Sequence, residues 1–444
     1  MNRSVIIVAC AIVAATSQYA ADVRHLTLTE AVHLAIKQNR VLRIARLRVA
    51  ESQQKKAGER SAYFPSLKNE SHISHLTALQ DIGIPAGAFG LVGGSEVPSR
   101  NTIIPQGQTT IYSSGTTLSE PLTQLIRIHD ENRMAAADVA ISKDDQKKAE
   151  NEIALQVHSV YYGILIARLQ KQAAEQQTKY ADQDWRESED DVRNGSALKV
   201  TAIQGRATLL QSRQAVLTAD LQLTDLTTQL NDLLGLPLDT QLDLDSAVPA
   251  VSEERSRDAY VQTAWSQNPQ IKAAEDTVAK ARAAVGSAKT AYIPEVSAFA
   301  SQHYQDGIPF FVRNFGTFGI TSTWEVFDFG KRRAALRESE DQLAEAEENV
   351  SRLKEEVAVT IQRSYDKLQR TRSLVEVAQE VVHLRQESER LAQNQLVQGV
   401  ALISDRRQAT AETYKAQADL LQANLGYLLA WAELQESAGI TPGF

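Results

Sequence analysis

Cysteine is almost absent from this 444-residue chain: Cys10 is the only one, so no intrachain disulfide can staple it. Aromatic residues make up only 6%. With Ala, Gln, Glu, Leu and Arg dominating long stretches, that scarcity argues for long helices rather than a thick, aromatic-rich core. There is no excess of positive charge. The net charge is −8 and the Lys and Arg residues are dispersed, which excludes a nucleic-acid partner. Beyond the N-terminus no run reaches the roughly 18 apolar residues that a transmembrane helix needs. A Ser-His-Asp arrangement, a phosphate-cradling glycine loop and clustered carboxylates are also missing, so no enzyme activity and no cofactor is expected.

What is present begins with a leader. Arg3 precedes a short apolar run, Val5 to Ala15, and small residues follow at Ala15-Thr16-Ser17 and Ala20-Ala21. Residues 1–21 read as a secretory signal peptide, because the run is too short to span a membrane. Cys10 would leave with it. Ile7-Val8-Ala9-Cys10 resembles a lipoprotein processing box only loosely, since the run before Cys10 is unusually short.

The rest of the chain is written twice. Gln38-Asn39 and Ala62-Tyr63-Phe64-Pro65 return as Gln267-Asn268 and Ala291-Tyr292-Ile293-Pro294, 229 positions on (267 − 38). Glu152-Ile153, Tyr161 and Asn194-Gly195 return as Glu356-Val357, Tyr365 and Gln398-Gly399, 204 positions on (356 − 152). A constant offset means duplicated architecture. The repeats are placed at 22–250 and 251–444, with a loop enlarged at 80–107 in the first and short at 305–314 in the second.

Each copy reads helix, strand, loop, strand, very long helix, helix. The first helix is expected over 29–62 and again over 256–291, ended by Pro65 and Pro294, whose rings cannot continue it. Strands are expected over 64–79, 108–118, 292–304 and 315–327. In the last of these Phe318, Ile320, Trp324 and Val326 alternate with Thr317, Thr321, Thr323 and Glu325. Residues 331–398 contain neither Gly nor Pro, and such a helix would reach roughly 100 Å. It ends at Gly399, as its counterpart ends at Gly195, and a further helix follows each. The first of these closes at Gly235-Leu236-Pro237, the second near Gly439.

Four amphipathic strands cannot close a barrel, and an open sheet cannot stand in lipid. Either the chain oligomerises through them, or they form a small soluble cap on a coiled-coil scaffold. The doubled layout, the Ala-Tyr-Phe/Ile-Pro helix stops, the Val326-Phe327-Asp328-Phe329-Gly330 strand exit, the Asn/Gln-Gly tips and Leu233-Leu234-Gly235-Leu236-Pro237 together resemble the TolC-like outer-membrane efflux proteins. The resemblance covers essentially the whole mature chain. Two departures stand out: Arg40 replaces a proline that Asn268-Pro269 keeps, and the first strand exit reads Glu120-Pro121-Leu122-Thr123-Gln124.

The resemblance implies an α+β membrane protein. Three chains would share a twelve-stranded outer-membrane barrel, four strands from each, continuous with a long periplasmic α-helical barrel. It implies a passive exit duct of a tripartite efflux or secretion system, fed by an inner-membrane pump through a periplasmic adaptor. Family gating positions fall on Asp405, six residues after Gly399, and on Gln408, where the family has a second aspartate. Thr201 stands at the corresponding place after Gly195. Arg406 and Arg407 are candidates to hold the closed state. Asp405 also suits the first turn of a helix as a capping carboxylate. The exposed tips, Asn194, Gly195, Ser196, Gln398, Gly399 and Val400, are the expected adaptor contacts; turn chemistry alone also accounts for them. Tyr63, Phe64, Tyr292, Phe327 and Phe329 sit at strand ends, where they fit an aromatic girdle at the membrane interface or packing between strands and helices. His72 and His75, three apart on a strand, face opposite ways and do not make a metal site.

Overall fold

The computed structural model describes residues 24–246, 255–308 and 311–442, so the leader and Cys10 lie outside it. The chain runs β1 (Arg24–Leu26), α1 (Leu28–Gln38), α2 (Arg40–Ser61) and β2 (Ser66–His75). The enlarged loop follows with four short strands, β3 (Ile82–Ile84), β4 (Leu91–Val92), β5 (Ser95–Glu96) and β6 (Thr102–Ile104). Then come β7 (Thr110–Pro121), α3 (Leu125–Arg193), α4 (Lys199–Leu234) and β8 (Leu242–Leu244). The second copy supplies α5 (Arg257–Gln267), α6 (Pro269–Thr290), β9 (Glu295–Asp306), β10 (Asn314–Thr323), α7 (Lys331–Val397) and α8 (Ile403–Ser437). Among the described residues no helix is long and apolar enough to cross a membrane.

The expected single helices over 29–62 and 256–291 are each broken in two, at Asn39 and Asn268. The cause is one asparagine with three duties. The Asn39 backbone N–H still donates to Ala35 O, which closes α1, while its Oδ1 accepts the Val41 N–H at 2.8 Å and opens α2. Its Nδ2 donates to Leu233 O at 3.1 Å. Asn268 repeats the clamp, Nδ2 donating to Ser437 O at 3.0 Å, and Pro269 takes the first helical position, where a missing N–H is no loss. The glycine stops lie directly on these kinks. A Cβ on Gly235 would come within 3.2 Å of Gln38 Cβ, and one on Gly439 within 2.5 Å of Asn268 Cα.

Two compact units divide the chain. One takes residues up to 46, 146–269 and from 354 on. Its core gathers Ala31, Ala35, Leu42, Tyr161, Ile164, Leu230, Leu234, Leu425 and Leu428 from α1 to α4 and α8. The Tyr161 hydroxyl is shared between Leu26 O and Asp245 O at 3.0 and 2.9 Å, and burial pushes it up to about 12. It anchors the parallel pair β1–β8, which no sequence pattern announces.

The other unit, 47–145 and 270–353, carries the sheet. Its order is β10-β9-β7-β2, antiparallel throughout, so the strands neighbour in chain order and both β2 and β10 are edges. The strands are shorter than expected at five ends: β2 starts at Ser66 and stops at His75, β7 starts at Thr110, β9 starts only after Pro294, and β10 stops at Thr323 before Trp324. Register aligns Leu67, Leu118, Ala300 and Phe318 on one face. Lys68, Thr117, Ser301 and Thr317 align on the other. The first face is the more apolar, with Glu120 and Asp306 near the ends of its strands, and the second is the more polar, the division a lipid-facing wall and a wet interior require. The enlarged loop is a hairpin within a hairpin, β3 against β6 and β4 against β5, where the sequence shows only a Gly- and Pro-rich stretch.

Candidate functional site

The two helical hairpins turn on glycine. Gly195 and Gly399 adopt φ of 75° and 72° with nothing near the place a Cβ would take. Backbone bonds close each turn: Ser196 N–H to Asp191 O, and Val400 N–H to Gln395 O, both at 2.9 Å. Asn194, Gly195, Ser196, Gln398, Gly399 and Val400 are all exposed, Val400 at 77%.

Asp405 stands in the first turn of α8, exposed, and its Oδ2 accepts the Leu402 N–H at 2.9 Å. The capping geometry expected of it is present. Beside it on α3, burial and then the charges of Asp184, Asp405 and Glu187 push the Tyr180 phenol above its ordinary range. Burial and Glu187 likewise raise Asp184. The carboxylates of Asp184, Glu187 and Asp405 therefore gather around Tyr180. Arg406 and Arg407 are half-buried, each with an Nε that finds no hydrogen-bond partner among the described residues. Gln408 and Thr201 are exposed.

The strand ends hold the aromatic residues. Tyr63 Oη lies 3.4 Å from His129 Nδ1, and the Arg332 guanidinium sits 5.3 Å from the centre of the Tyr292 ring. Phe327 and Phe329 meet edge to face at 4.7 Å yet stay 71% and 91% exposed, and Phe64 is 65% exposed. Phe329 adopts φ of 54°, a conformation few non-glycine residues take. Asp328 holds it there, accepting the Gly330 and Arg332 N–H groups and Arg332 Nε, and those bonds bring its carboxyl down to about 2. His75 Nδ1 lies 3.1 Å from Thr110 Oγ1, while His72 is paired opposite Ser113. Among the described residues no group of three or more His, Cys, Asp or Glu side chains is placed to hold a metal ion.

The sequence reading missed a second set of residues. On α4, Ile203, Leu210, Leu217 and Leu221 form an exposed stripe, from 55% to 68%. On α7, Leu374, Val377, Val381, Leu384 and Leu391 do the same at three- and four-residue steps and their sum. A different set of apolar positions on α7, Val357, Ile361, Leu368 and Val382, is buried within the chain.

An open four-stranded antiparallel sheet with one more apolar face, joined in sequence to two long helical hairpins, is the subunit plan of an envelope channel. The chain belongs to the outer membrane efflux protein family, which matches residues 31–236 and 260–440. Solved structures share the fold. The CmeC outer membrane channel of Campylobacter jejuni matches with a TM-score of 0.76 at 17% identity, over 93% of this chain and 85% of that one. The MtrE outer membrane channel of Neisseria gonorrhoeae, in its open state, gives 0.69 at 17% identity, over 93% and 89%. The outer membrane protein VceC of Vibrio cholerae gives 0.71 at 14%, over 93% and 96%. No curated protein sequence matches. The protein is an outer-membrane efflux channel with periplasmic helices, and not an enzyme.

Proposed function

We propose that the working duct is a ring of three chains, gated at the helical tips and fed by a periplasmic adaptor and an inner-membrane pump. The observation that carries the ring is a shared incompleteness. In each unit the chain leaves two outer elements unsatisfied: the edges β2 and β10 in the sheet, the stripes of α4 and α7 among the helices. A sheet edge in lipid must be paired. Four strands per chain reach an open barrel at twelve, whereas eight would leave an interior filled by side chains. A heptad stripe seeks a second heptad stripe, so α4 of one chain meets α7 of the next.

At the tips, three copies of Asp405 would form a carboxylate ring favouring cations, with Gln408 making it a single ring rather than a double one. The unpartnered Nε groups of Arg406 and Arg407 are then available to the neighbouring chain's acidic turn and hold the ring shut. Asn194 to Ser196 and Gln398 to Val400 offer exposed, preformed turns to the adaptor, while Tyr63, Phe64, Tyr292, Phe327 and Phe329 stand at the membrane interface. Cargo is chosen by the pump, because a wide wet passage recognises little.

The test is assembly and conductance together. The protein extracted from outer membrane in detergent should run as a trimer and form pores in a planar bilayer. Leu217→Lys with Val377→Lys should abolish the trimer. Asp405→Ala should raise conductance or relieve block by divalent cations. A monomeric sample recovered in the aqueous periplasmic extract would end the proposal in favour of a soluble scaffold.

A further inference from the structure

The more polar face of the sheet carries aromatic rings that lie down. Register sets three successive rows on it: Ser66, Ser119, Phe299, Gly319; then Lys68, Thr117, Ser301, Thr317; then Glu70, Gly115, His303, Phe315. In the first row Phe299 occupies the space over Gly319, whose Cβ, if present, would be 3.2 Å from the ring. In the third His303 lies over Gly115 in the same way, at 3.3 Å, and stacks on Phe315 with ring centres 5.2 Å apart at 25°. All three rings are half-buried, whereas Phe318 on the opposite face stands off at 88% exposure. Glycine opposite an aromatic ring lets the ring fold flat across the neighbouring strand. A flat ring keeps the passage wide and turns its negative π-face toward it.

Resting on the reading of this face as the duct wall, we infer that Phe299 and the His303–Phe315 stack form a stacking track for planar aromatic cations in transit. The two platforms are four residues apart on β9, about 14 Å, one hop for a fused-ring molecule. Glu70, in the row of His303, adds the negative charge that favours a cation, and Lys68 lies one row away. Between the platforms Ser301 and Thr117 are hydrogen-bonded to each other at 2.8 Å, in the row whose β2 position is Lys68. Base-on-aromatic stacking is sequence-tolerant and worth enough to slow a ligand without trapping it.

The experiment is single-channel recording of the detergent-purified full chain in a planar bilayer, with proflavine on one side and tetraethylammonium, a cation without a ring, as the control. Proflavine should produce resolvable blocking events and tetraethylammonium none of comparable length. Phe299→Leu and Phe315→Leu, which keep apolar bulk but lose the flat face, should each shorten proflavine events about tenfold while leaving open conductance nearly unchanged. Gly319→Val, which lifts Phe299 off the wall, should also shorten them. Equal block by both cations in the native channel, or event lengths indifferent to all three variants, overturns the track and leaves the duct standing. A native chain that makes no pore at all overturns the duct reading, and the track with it.

Discussion

The two halves of the chain perform one task, leaving the sheet for a long helix, with different chemistry. In the second half Asp328 does it alone, gathering the Gly330 and Arg332 N–H groups and the Arg332 guanidinium. In the first half, where Glu120-Pro121-Leu122-Thr123 stands instead, Thr123 reaches across to the other copy: its hydroxyl donates to Pro294 O at 2.7 Å and accepts the Val296 N–H at 2.8 Å. One exit is a local charged cap, the other a neutral bond between repeats. By contrast, the Asn39 and Asn268 kinks and the glycines lying on them are kept alike. Duplication tolerates exchange of side chains at a strand exit. At the kinks the asparagine and the glycine are kept, although Arg40 stands where the second copy has Pro269.

The largest effect should come from treating equivalent-looking glycines as equals. Gly399 and Gly439 share a left-handed backbone, φ of 72° and 80°, but only Gly439 lies against another chain segment. Gly399→Ala should cost about 1 kcal/mol, the left-handed penalty alone. Gly439→Ala should cost about 3 kcal/mol or more, because Asn268 must move. Thermal unfolding in detergent separates the two, and equal midpoints would refute the distinction.

Next in size is a pH effect confined to the first half. His158 on α3 is fully buried beside Tyr162, and burial brings it down to about 4 from an ordinary 6.5. Between those values the unfolded chain binds a proton that the native one refuses. Stability is therefore complete above pH 6.5 and declines as pH falls from 6.5 to 4, by about 3 kcal/mol in all. The second copy has Gln362 at this place (158 + 204), so His158→Gln should flatten that dependence in unfolding curves taken across the window.

A smaller change should follow at the strand exits. Thr123→Val removes both bonds between the copies and should cost about 1–2 kcal/mol. Asp328→Asn weakens the other exit, and the pH response separates them. A lowered carboxyl gives its stabilisation in full above its ordinary value and loses it as pH falls through about 2, so acid should erode the native second exit and leave the Thr123 clasp unchanged. At the tips, Asp405→Ala should cost only about 1 kcal/mol of stability through the lost Leu402 bond, with its main effect on current.

Much of this was legible in advance because it is local. Pro65 and Pro294 end helices wherever they occur, Gly195 and Gly399 turn hairpins by their own conformational freedom, and strand alternation marks two faces. The Asn39 break was not legible. An asparagine inside a helical pattern is unremarkable until Leu233, 194 positions away, offers its carbonyl. The β1–β8 pair escaped for a similar reason: three residues are too few to show a period, and their partner is supplied by the fold. Of the candidate site, sequence placed the tip glycines and Asp405 but overlooked the stripes on α4 and α7. It shows which positions on a helix are apolar, and only packing decides which seam the chain covers itself.

The order of residues by itself settled the repeat, the long helices and the four strands of the main sheet with their approximate ends, since each depends on neighbours a few positions apart. Three-dimensional packing alone decided the paired kinks, the neighbour of each strand, the rings lying over Gly115 and Gly319, and the surfaces left bare. Those depend on contacts between segments far apart in the chain, whose distances no local pattern encodes.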